Sequence, residues 1–501
     1  MLFRLSCCVL MVLLGFSSLL TAAEERLNVL FIAVDDLRPE LGCYGQPVKS
    51  PHIDRLAREG MLFERAYVQV ALCMPSRASM LTGRRPDTTK VYQFDTDFRD
   101  AIPNVVTMPQ HFKQQGYHAV ALGKIFHNND QASWSEPLFQ SKRGENDYHT
   151  EFGKKVMSWI KEDHRQVTYV WDLGDGITKK KRPGGLPWEA PDVPDNAVRD
   201  GQLADAAIAK LRAIKDNPFF MALGFHKPHL PFIAPRKYFD LYDAATIEPA
   251  SNPDPPAGVP KYAMYNWNDL RHYYGIPDVG PVSPQQAREL KHAYYACVSF
   301  TDAQVGKVLN ELERLGLDEN TIVVLWGDHG WQLGEHGMWD KHSNFETSTR
   351  IPLIVKVPGM QPGRTEALVE SVDLFPTLCD LTGLPLDQEL EGLSFVPLLK
   401  DPQRDWKQAA FSQYRRVIPG YGKISKGMGY SMRTNRYRFT EWRVSGTDFR
   451  EYELYDHERD PEENVNLAVE PQYQPLIEQL KKQLHAGWRG ALPVKSKQTN
   501  N

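Results

Sequence analysis

Several short stretches of this chain carry side chains that can do chemistry together. They are Asp35-Asp36, Cys73-Met74-Pro75-Ser76-Arg77, Lys124-Ile125-Phe126-His127, His226-Lys227-Pro228-His229 and Asp328-His329, with Lys341 a little further on. Cys73 opens a stretch that reads as a helix closed at Thr82-Gly83. A thiol there lies in the positive partial field of the helix N-terminus, beside orphan N–H groups that welcome anions. The competing reading is a buried structural cysteine, which most free cysteines are. Asp35-Asp36 and Asp328-His329 offer three carboxylates and an imidazole. Adjacent acids at a buried strand end repel, and one stays protonated unless a cation lies between them. A hard divalent metal resolves that conflict, and oxygen ligands favour calcium or magnesium. His329 is the awkward member, because imidazole suits softer ions.

The elements that must position these groups are legible as apolar runs. Leu27–Val34, Tyr117–Leu122, Phe219–Leu223, Thr321–Trp326 and Pro352–Val355 read as strands buried on both faces. Between them His52–Glu59, Met108–Gln115, Gln202–Ile214 and Gln285–Leu315 carry helical periodicity, the last expected in two or more pieces. Strands alternating with amphipathic helices predict an α/β layered fold with a largely parallel sheet. Asp35-Asp36, Lys124 with His127, His226, and Asp328-His329 each follow the carboxyl end of a predicted strand. Open α/β sheets build their sites at that edge, so these residues should meet in one crevice. Ser133–Pro194 and the Pro-rich Ala250–Pro284 read as irregular insertions of the kind that wall sites. The run Lys179-Lys180-Lys181-Arg182 reads as a solvated loop rather than a polyanion site.

Taken in order, the stretches above, with Leu81-Thr82-Gly83-Arg84 and Gly330-Trp331 through Gly334-Glu335-His336-Gly337, resemble the type I, formylglycine-dependent sulfatases. His329 stands where many of those enzymes carry Asn. Together with the spacing of Lys124 and His127, Phe225–Phe232, Lys341–Phe345 and Met428–Thr434, it brings the likeness nearest the iduronate-2-sulfatase subfamily. The resemblance departs in Ser133–Pro194 and toward the C-terminus, which lack that subfamily's disulfide cysteines.

It implies an alkaline-phosphatase-like α/β sandwich with a large, mostly parallel central sheet and a small C-terminal α+β domain. It implies oxidation of Cys73 to formylglycine, whose hydrate is the nucleophile, by a formylglycine-generating or anaerobic sulfatase-maturating enzyme. One calcium ion, rather than magnesium, is expected on Asp35, Asp36, residue 73, Asp328 and His329. Arg77, Lys124 and Lys341 would neutralise the sulfuryl oxygens, and His226 with Lys341 would protonate the leaving sugar oxygen. His127 would take the second hydroxyl's proton and expel sulfate. Arg38 and Arg433 are candidate carboxylate clamps, since bidentate recognition favours Arg, or else structural residues. Trp331 reads as a sugar-stacking wall or a core aromatic, and His229 as a substrate contact or a loop brace. The expected substrate is a sulfated oligosaccharide, with the 2-O-sulfate of a uronic acid in a glycosaminoglycan-like or algal chain as the specific form. Two rivals are a phosphoesterase on the same scaffold and an inactive exported polysaccharide-binding protein.

At 501 residues, with 42% hydrophobic and 24% charged content, the chain is an ordinary globular protein. A net charge of −4 gives no reason to expect nucleic acid. Residues 1–23 carry Arg4, an apolar run and Thr21-Ala22-Ala23, the layout of a secretory signal peptide, with no membrane span after its removal. The catalytic domain is then expected over 24–400 and the smaller one over 401–501, where composition changes and short strand-like runs begin. Cys43, Cys73, Cys297 and Cys379 are too scattered to form a disulfide framework. The chain has no Asn-x-Ser/Thr sequon, so a bacterial periplasm or medium is expected over a lysosome.

Overall fold

Asn28–Val34 (β1) is buried at every position, as a strand covered on both faces must be. The structure, a computed structural model, describes residues 26–141, 148–162, 167–170, 178–181, 184–265, 268–386, 389–421 and 427–493. The expected signal peptide and Arg182 lie outside the described residues, as do the side chains of Lys179–Lys181. Six further strands complete the central sheet: Met61–Tyr67 (β2), His118–Gly123 (β3), Phe219–Phe225 (β4), Thr321–Gly327 (β5), Arg350–Lys356 (β6) and Gly363–Glu370 (β7). Their order is β7-β2-β6-β5-β1-β4-β3. Only β6 runs against the rest, so the sheet is mostly parallel, as expected.

Alternate residues of β1 feed two separate cores. Leu30, Ile32 and Val34 pack with Pro51–Glu59 (α1), Arg199–Ile214 (α4) and Pro284–Arg314 (α5). Val29, Phe31 and Ala33 pack with Cys73–Thr82 (α2), Met108–Gln114 (α3) and Leu374–Thr382 (α6) on the other face. Helices therefore cover both faces, which is the α/β sandwich.

Three expectations need correction. Gln285–Leu315 is not broken: α5 is one helix of 31 residues, started by a reciprocal capping box between Ser283 and Gln286. Its Gly306 marks a close contact instead, since a Cβ there would meet the His52 ring at 2.3 Å. The expected set of strands is incomplete: β2 and β7 belong to the sheet without an apolar run, because Glu64, Arg65, Arg364 and Glu366 interrupt them, β7 at the edge and β2 next to it. The Ser133–Pro194 insertion contains a twelve-residue helix, Glu151–Glu162, and a short ribbon of Val167–Val170 with Thr178–Lys181.

Near the C-terminus Ala409–Arg416 (β8), Gly427–Thr434 (β9), Tyr437–Val444 (β10) and Arg450–Asp456 (β11) form an antiparallel sheet in chain order. Gln474–Gly490 (α7) buries Ile477, Leu480 and Leu484 against it, completing the small α+β unit. This sheet reaches the central one: Ser412 Oγ donates to the Val68 carbonyl, and the Gln413 amide to that of Gln69. Tyr414 packs with Val70 and Leu72, the segment leading into Cys73. No helix among the described residues is long and apolar enough to cross a membrane.

Candidate active site

The carboxyl ends of β1, β4 and β5 stay tied together beyond the strands. The Asp35 amide donates to the Phe225 carbonyl and the Asp328 amide to that of Val34, both at 3.2 Å. Asp36 turns away in the left-handed region at φ +60°, an uncommon conformation for a residue with a side chain and one that Asp tolerates. Its own amide donates to Asp328 Oδ1 at 3.0 Å. Helix α2 opens at Cys73 and ends at Gly83, whose φ of +63° is the left-handed cap of that helix. Cys73 and Arg77 are four apart, hence on one helix face. Gly123, at φ +76°, ends β3 where a Cβ would strike the Gly224 carbonyl at 2.2 Å, so only glycine brings Lys124 this close to the neighbouring strand.

Ligand atoms of Asp35, Asp36, Cys73 and His329 all lie within 4.8 Å of one another, and all four residues are buried. His329 Nε2 is 3.2 Å from Cys73 Sγ and 3.5 Å from Asp36 Oδ1. Its Nδ1 lies 2.9 Å from the Gly330 carbonyl; donation there leaves Nε2 facing the cluster with a lone pair. Lys124 Nζ reaches Asp35 Oδ2 at 2.5 Å. Lys341 Nζ lies 3.3 Å from both oxygens of Asp36 and 2.9 Å from Asp269 Oδ2. Burial pushes Asp36 up to about 7, with Lys341 opposing and the Asp35 charge adding to it. Burial also pushes Asp35 up, but Lys124, His229 and Arg77 outweigh it and hold this acid well below the usual carboxylate range.

These observations test whether a cation belongs here. Asp35 Oδ1 is buried with no hydrogen-bond partner, and Arg77 Nη2 stands 3.6 Å from it. An unfilled anionic lone pair beside a second carboxylate held half-neutral is the condition a divalent ion relieves. Carboxylate oxygens dominate the donors, so the residues fit a hard ion, with His329 as the one softer ligand. Asp328 is differently engaged: Oδ1 accepts from Asp36 and Oδ2 from Arg77 Nε at 2.9 Å.

Burial pushes the Cys73 thiol well above its ordinary value, with Lys124 opposing and Asp35 adding. The unmodified thiol is therefore protonated, and a poor nucleophile, at neutral pH. Arg77 is fully buried beside Cys73; it braces Asp328 and donates to the carbonyls of Lys124 and Ile125, while its Nη2 has no hydrogen-bond partner.

A cavity of 850 Å³ is lined by Asp35, Lys124, His127, His226 and His229, together with Gln140, Ser141, His149, Arg199 and Asp200. His127 is exposed and lies against the Phe94 ring at 4.8 Å. Desolvation of the part of the ring that faces the cavity, then the Lys124 and Arg77 charges, hold His127 below its ordinary value, so it is a neutral base at pH 7. His229 Nδ1 meets the Leu230 carbonyl at 2.6 Å while Nε2 lies 3.9 Å from Asp36, so it both braces its loop and faces the cluster.

Of the expected rim residues, His229 lines the cavity, whereas Trp331, Arg38 and Arg433 do not. Trp331 is fully buried beneath Lys341 Nζ, 4.9 Å from its ring, and packs edge-on against Phe232. It is a support for Lys341, not an open stacking wall. Arg38 is held by Glu40 and Glu335, and Arg433 by Glu346 and its neighbour's carbonyl, so both guanidiniums serve internal carboxylates. Behind Lys341 stand residues that no sequence motif marks. Asp269, inside the Pro-rich insertion, grips both Lys341 and His342 Nε2. His342 Nδ1 in turn meets Tyr414 Oη from β8 at 2.5 Å. Aromatic enrichment around Tyr265, which stacks on His342 at 4.6 Å, is the sequence signal for that packing.

The sulfatase family model matches residues 27–384, which take in every residue of this cluster. The chain belongs to the sulfatase family. It is a sulfuric ester hydrolase. A second model, described as N-sulphoglucosamine sulphohydrolase, C-terminal, matches residues 334–489 of this sulfatase. Iduronate 2-sulfatase of Mus musculus is 36% identical over 538 aligned positions, covering 92% of this chain and 94% of the relative. That of Homo sapiens is 35% identical, with 94% and 96% covered. A sulfatase of Formosa agariphila is 31% identical, with 91% and 86% covered. Among solved structures, a phosphonate monoester hydrolase from Silicibacter pomeroyi superposes with a TM-score of 0.70 at 24% identity, over 93% of this chain and 96% of that one. A complex with D-glucosamine-2-N,6-O-disulfate gives 0.68 at 22% identity, over 93% and 98%. At those identities the likeness is one of fold, shared between sulfate and phosphonate chemistry.

Proposed function

We propose that this sulfatase removes the 2-O-sulfate from a uronic acid of a glycosaminoglycan-like or algal saccharide, with Cys73 oxidised to formylglycine and one calcium ion in the cluster. The convergence of Asp35, Asp36, Cys73 and His329 within 4.8 Å carries the chemical part of this reading. Likeness to iduronate 2-sulfatases across nearly the whole of both chains supports the substrate part. Asp35, Asp36 and His329 would hold the ion, with Asp328 beside them. When present, the ion supplies charge neutralisation and the hydrated aldehyde supplies a hydroxyl nucleophile that a buried thiol cannot match.

The chain's own residues do the rest. Arg77 fixes Asp328 and approaches Asp35, so the carboxylates keep their places without reaching solvent. The Lys124 and Lys341 amines bracket the Asp35-Asp36 pair, where they neutralise the oxygens of a sulfuryl group seated beside residue 73. His226 Nε2 delivers the proton to the leaving sugar oxygen. His127, held neutral, accepts the proton whose removal expels sulfate. Trp331, Asp269 and Tyr265 keep Lys341 and the following turn in register.

Export belongs to the same proposal, with residues 1–23 as the signal and maturation by a formylglycine-generating or anaerobic sulfatase-maturating enzyme. So does the division into 24–400 and 401–501. A panel of defined sulfated disaccharides tests the substrate. Sulfate should be released from uronate 2-O-sulfates, and release only from non-uronate sugars overturns the assignment. The intact mass of the residue 73 peptide should show the thiol-to-aldehyde change.

A further inference from the structure

His226 is gripped at both ring nitrogens by two residues adjacent in sequence. Asp200, in the first turn of α4 and 1% exposed, places Oδ1 at 3.3 Å from His226 Nδ1. Its other oxygen accepts the backbone amides of His226 at 2.9 Å and Lys227 at 2.7 Å. Arg199 Nη2 lies 3.0 Å from His226 Nε2. The positive end of α4 suits the Asp200 carboxylate, and its three accepted bonds favour the ionised form. A carboxylate only accepts and a guanidinium only donates. Both contacts therefore dictate the same arrangement of the ring: proton on Nδ1, lone pair on Nε2.

We propose that Asp200 is a positioning residue that fixes His226 as the Nδ1–H tautomer and presents Nε2 to the cavity as the working nitrogen. This rests on the reading of His226 as the proton donor to the leaving oxygen. With Nδ1–H already committed to Asp200, the proton that His226 gains and gives can sit only on Nε2. Arg199 withdraws when that proton arrives, because two donors cannot face each other at 3.0 Å. The anchor is double, since the same carboxylate holds the ring and the backbone of the turn that carries it.

Asp200→Asn tests this. The amide keeps an oxygen for the backbone N–H groups but turns an NH2 toward Nδ1, which forces the proton onto Nε2; the corresponding change in the serine protease triad acts through the wrong tautomer. Turnover of a sugar sulfate should fall roughly 10²-fold. Turnover of 4-nitrophenyl sulfate, whose leaving group needs little protonation, should fall far less. Introduced into His226→Gln, the same change should add no more than about a twofold loss. Losses that multiply in the double variant, or wild-type sugar-sulfate turnover in Asp200→Asn, overturn the proposal. Undiminished sugar-sulfate turnover in His226→Gln alone would instead overturn the proton-donor reading. Should either variant fail to fold, the 15N-histidine spectrum of the unsubstituted enzyme decides: Nδ1–H at His226 is expected, and Nε2–H refutes it.

Discussion

The floor of the site and its walls are made from different kinds of chain. Asp35, Asp36, Lys124, His226, Asp328 and His329 follow the ends of four adjacent strands, and Cys73 opens a helix buried along its whole length. Their backbones are tied by the continuing hydrogen bonds of the sheet. The walls come instead from irregular segments such as those carrying Gln140 and His149, while Asp269 and Tyr414 of the C-terminal sheet brace Lys341 and His342 from behind. A floor anchored in this way holds reacting groups to fractions of an ångström, whereas walls of inserted loop can change length and composition without disturbing it.

The comparison can be broken from either side. The largest effect is expected at residue 73: Cys73→Ala should lower sulfate release by on the order of 10⁴-fold or more, read by ion chromatography. Chelation with EGTA, or Asp36→Asn, should abolish turnover and lower the melting temperature. Calcium should restore both in the unsubstituted protein, adding about 2.7 kcal/mol of stability at a hundredfold excess over its dissociation constant. An enzyme unaffected by chelation would remove the ion from the floor.

His226→Gln should reduce kcat on sugar sulfates by roughly 10²–10⁴-fold, with a smaller loss on nitrophenyl sulfate. pH offers a related test without substitution. Burial holds His226 below its ordinary value of 6.5, although Asp200 pulls it back up. As pH falls below 6.5 the fraction carrying the Nε2 proton rises, so kcat/KM on a sugar sulfate should rise while that on nitrophenyl sulfate does not. Stability should fall over that window, because the unfolded chain takes up the proton more readily than the folded one.

The smallest catalytic effect is expected away from the floor. Arg38→Ala should leave KM unchanged within about twofold. It should destabilise the fold by about 3 kcal/mol, because Glu335 and Glu40 lose their partner in a largely buried place. A raised KM with unchanged melting would return Arg38 to the substrate wall.

Much of the floor was readable because the signal is doubled there: an apolar run marks a strand, and a reactive residue follows its end. Asp35, His226 and Asp328 all obey that rule. Strands β2 and β7 were not readable, since their charged residues remove the apolar signature while the backbone still pairs, β7 at the sheet's edge and β2 next to it. Trp331, Arg38 and Arg433 show a further limit. An aromatic or an arginine near a motif has the same letter whether it faces a ligand or an internal partner, and only burial and the neighbouring Lys341, Glu335 and Glu346 distinguish the two.

By itself the sequence determined the reacting groups, the order of the layers and the edge of the sheet where those groups meet, because strand periodicity and local chain direction are properties of short segments. The three-dimensional fold alone decided which cations face which carboxylates, that Arg77 pairs with Asp328 and Trp331 lies beneath Lys341, and that Asp200 reaches His226 and Asp269 reaches Lys341. Those are contacts between residues tens to hundreds of positions apart, set by packing and by the need to pair buried charge, and no local pattern encodes them.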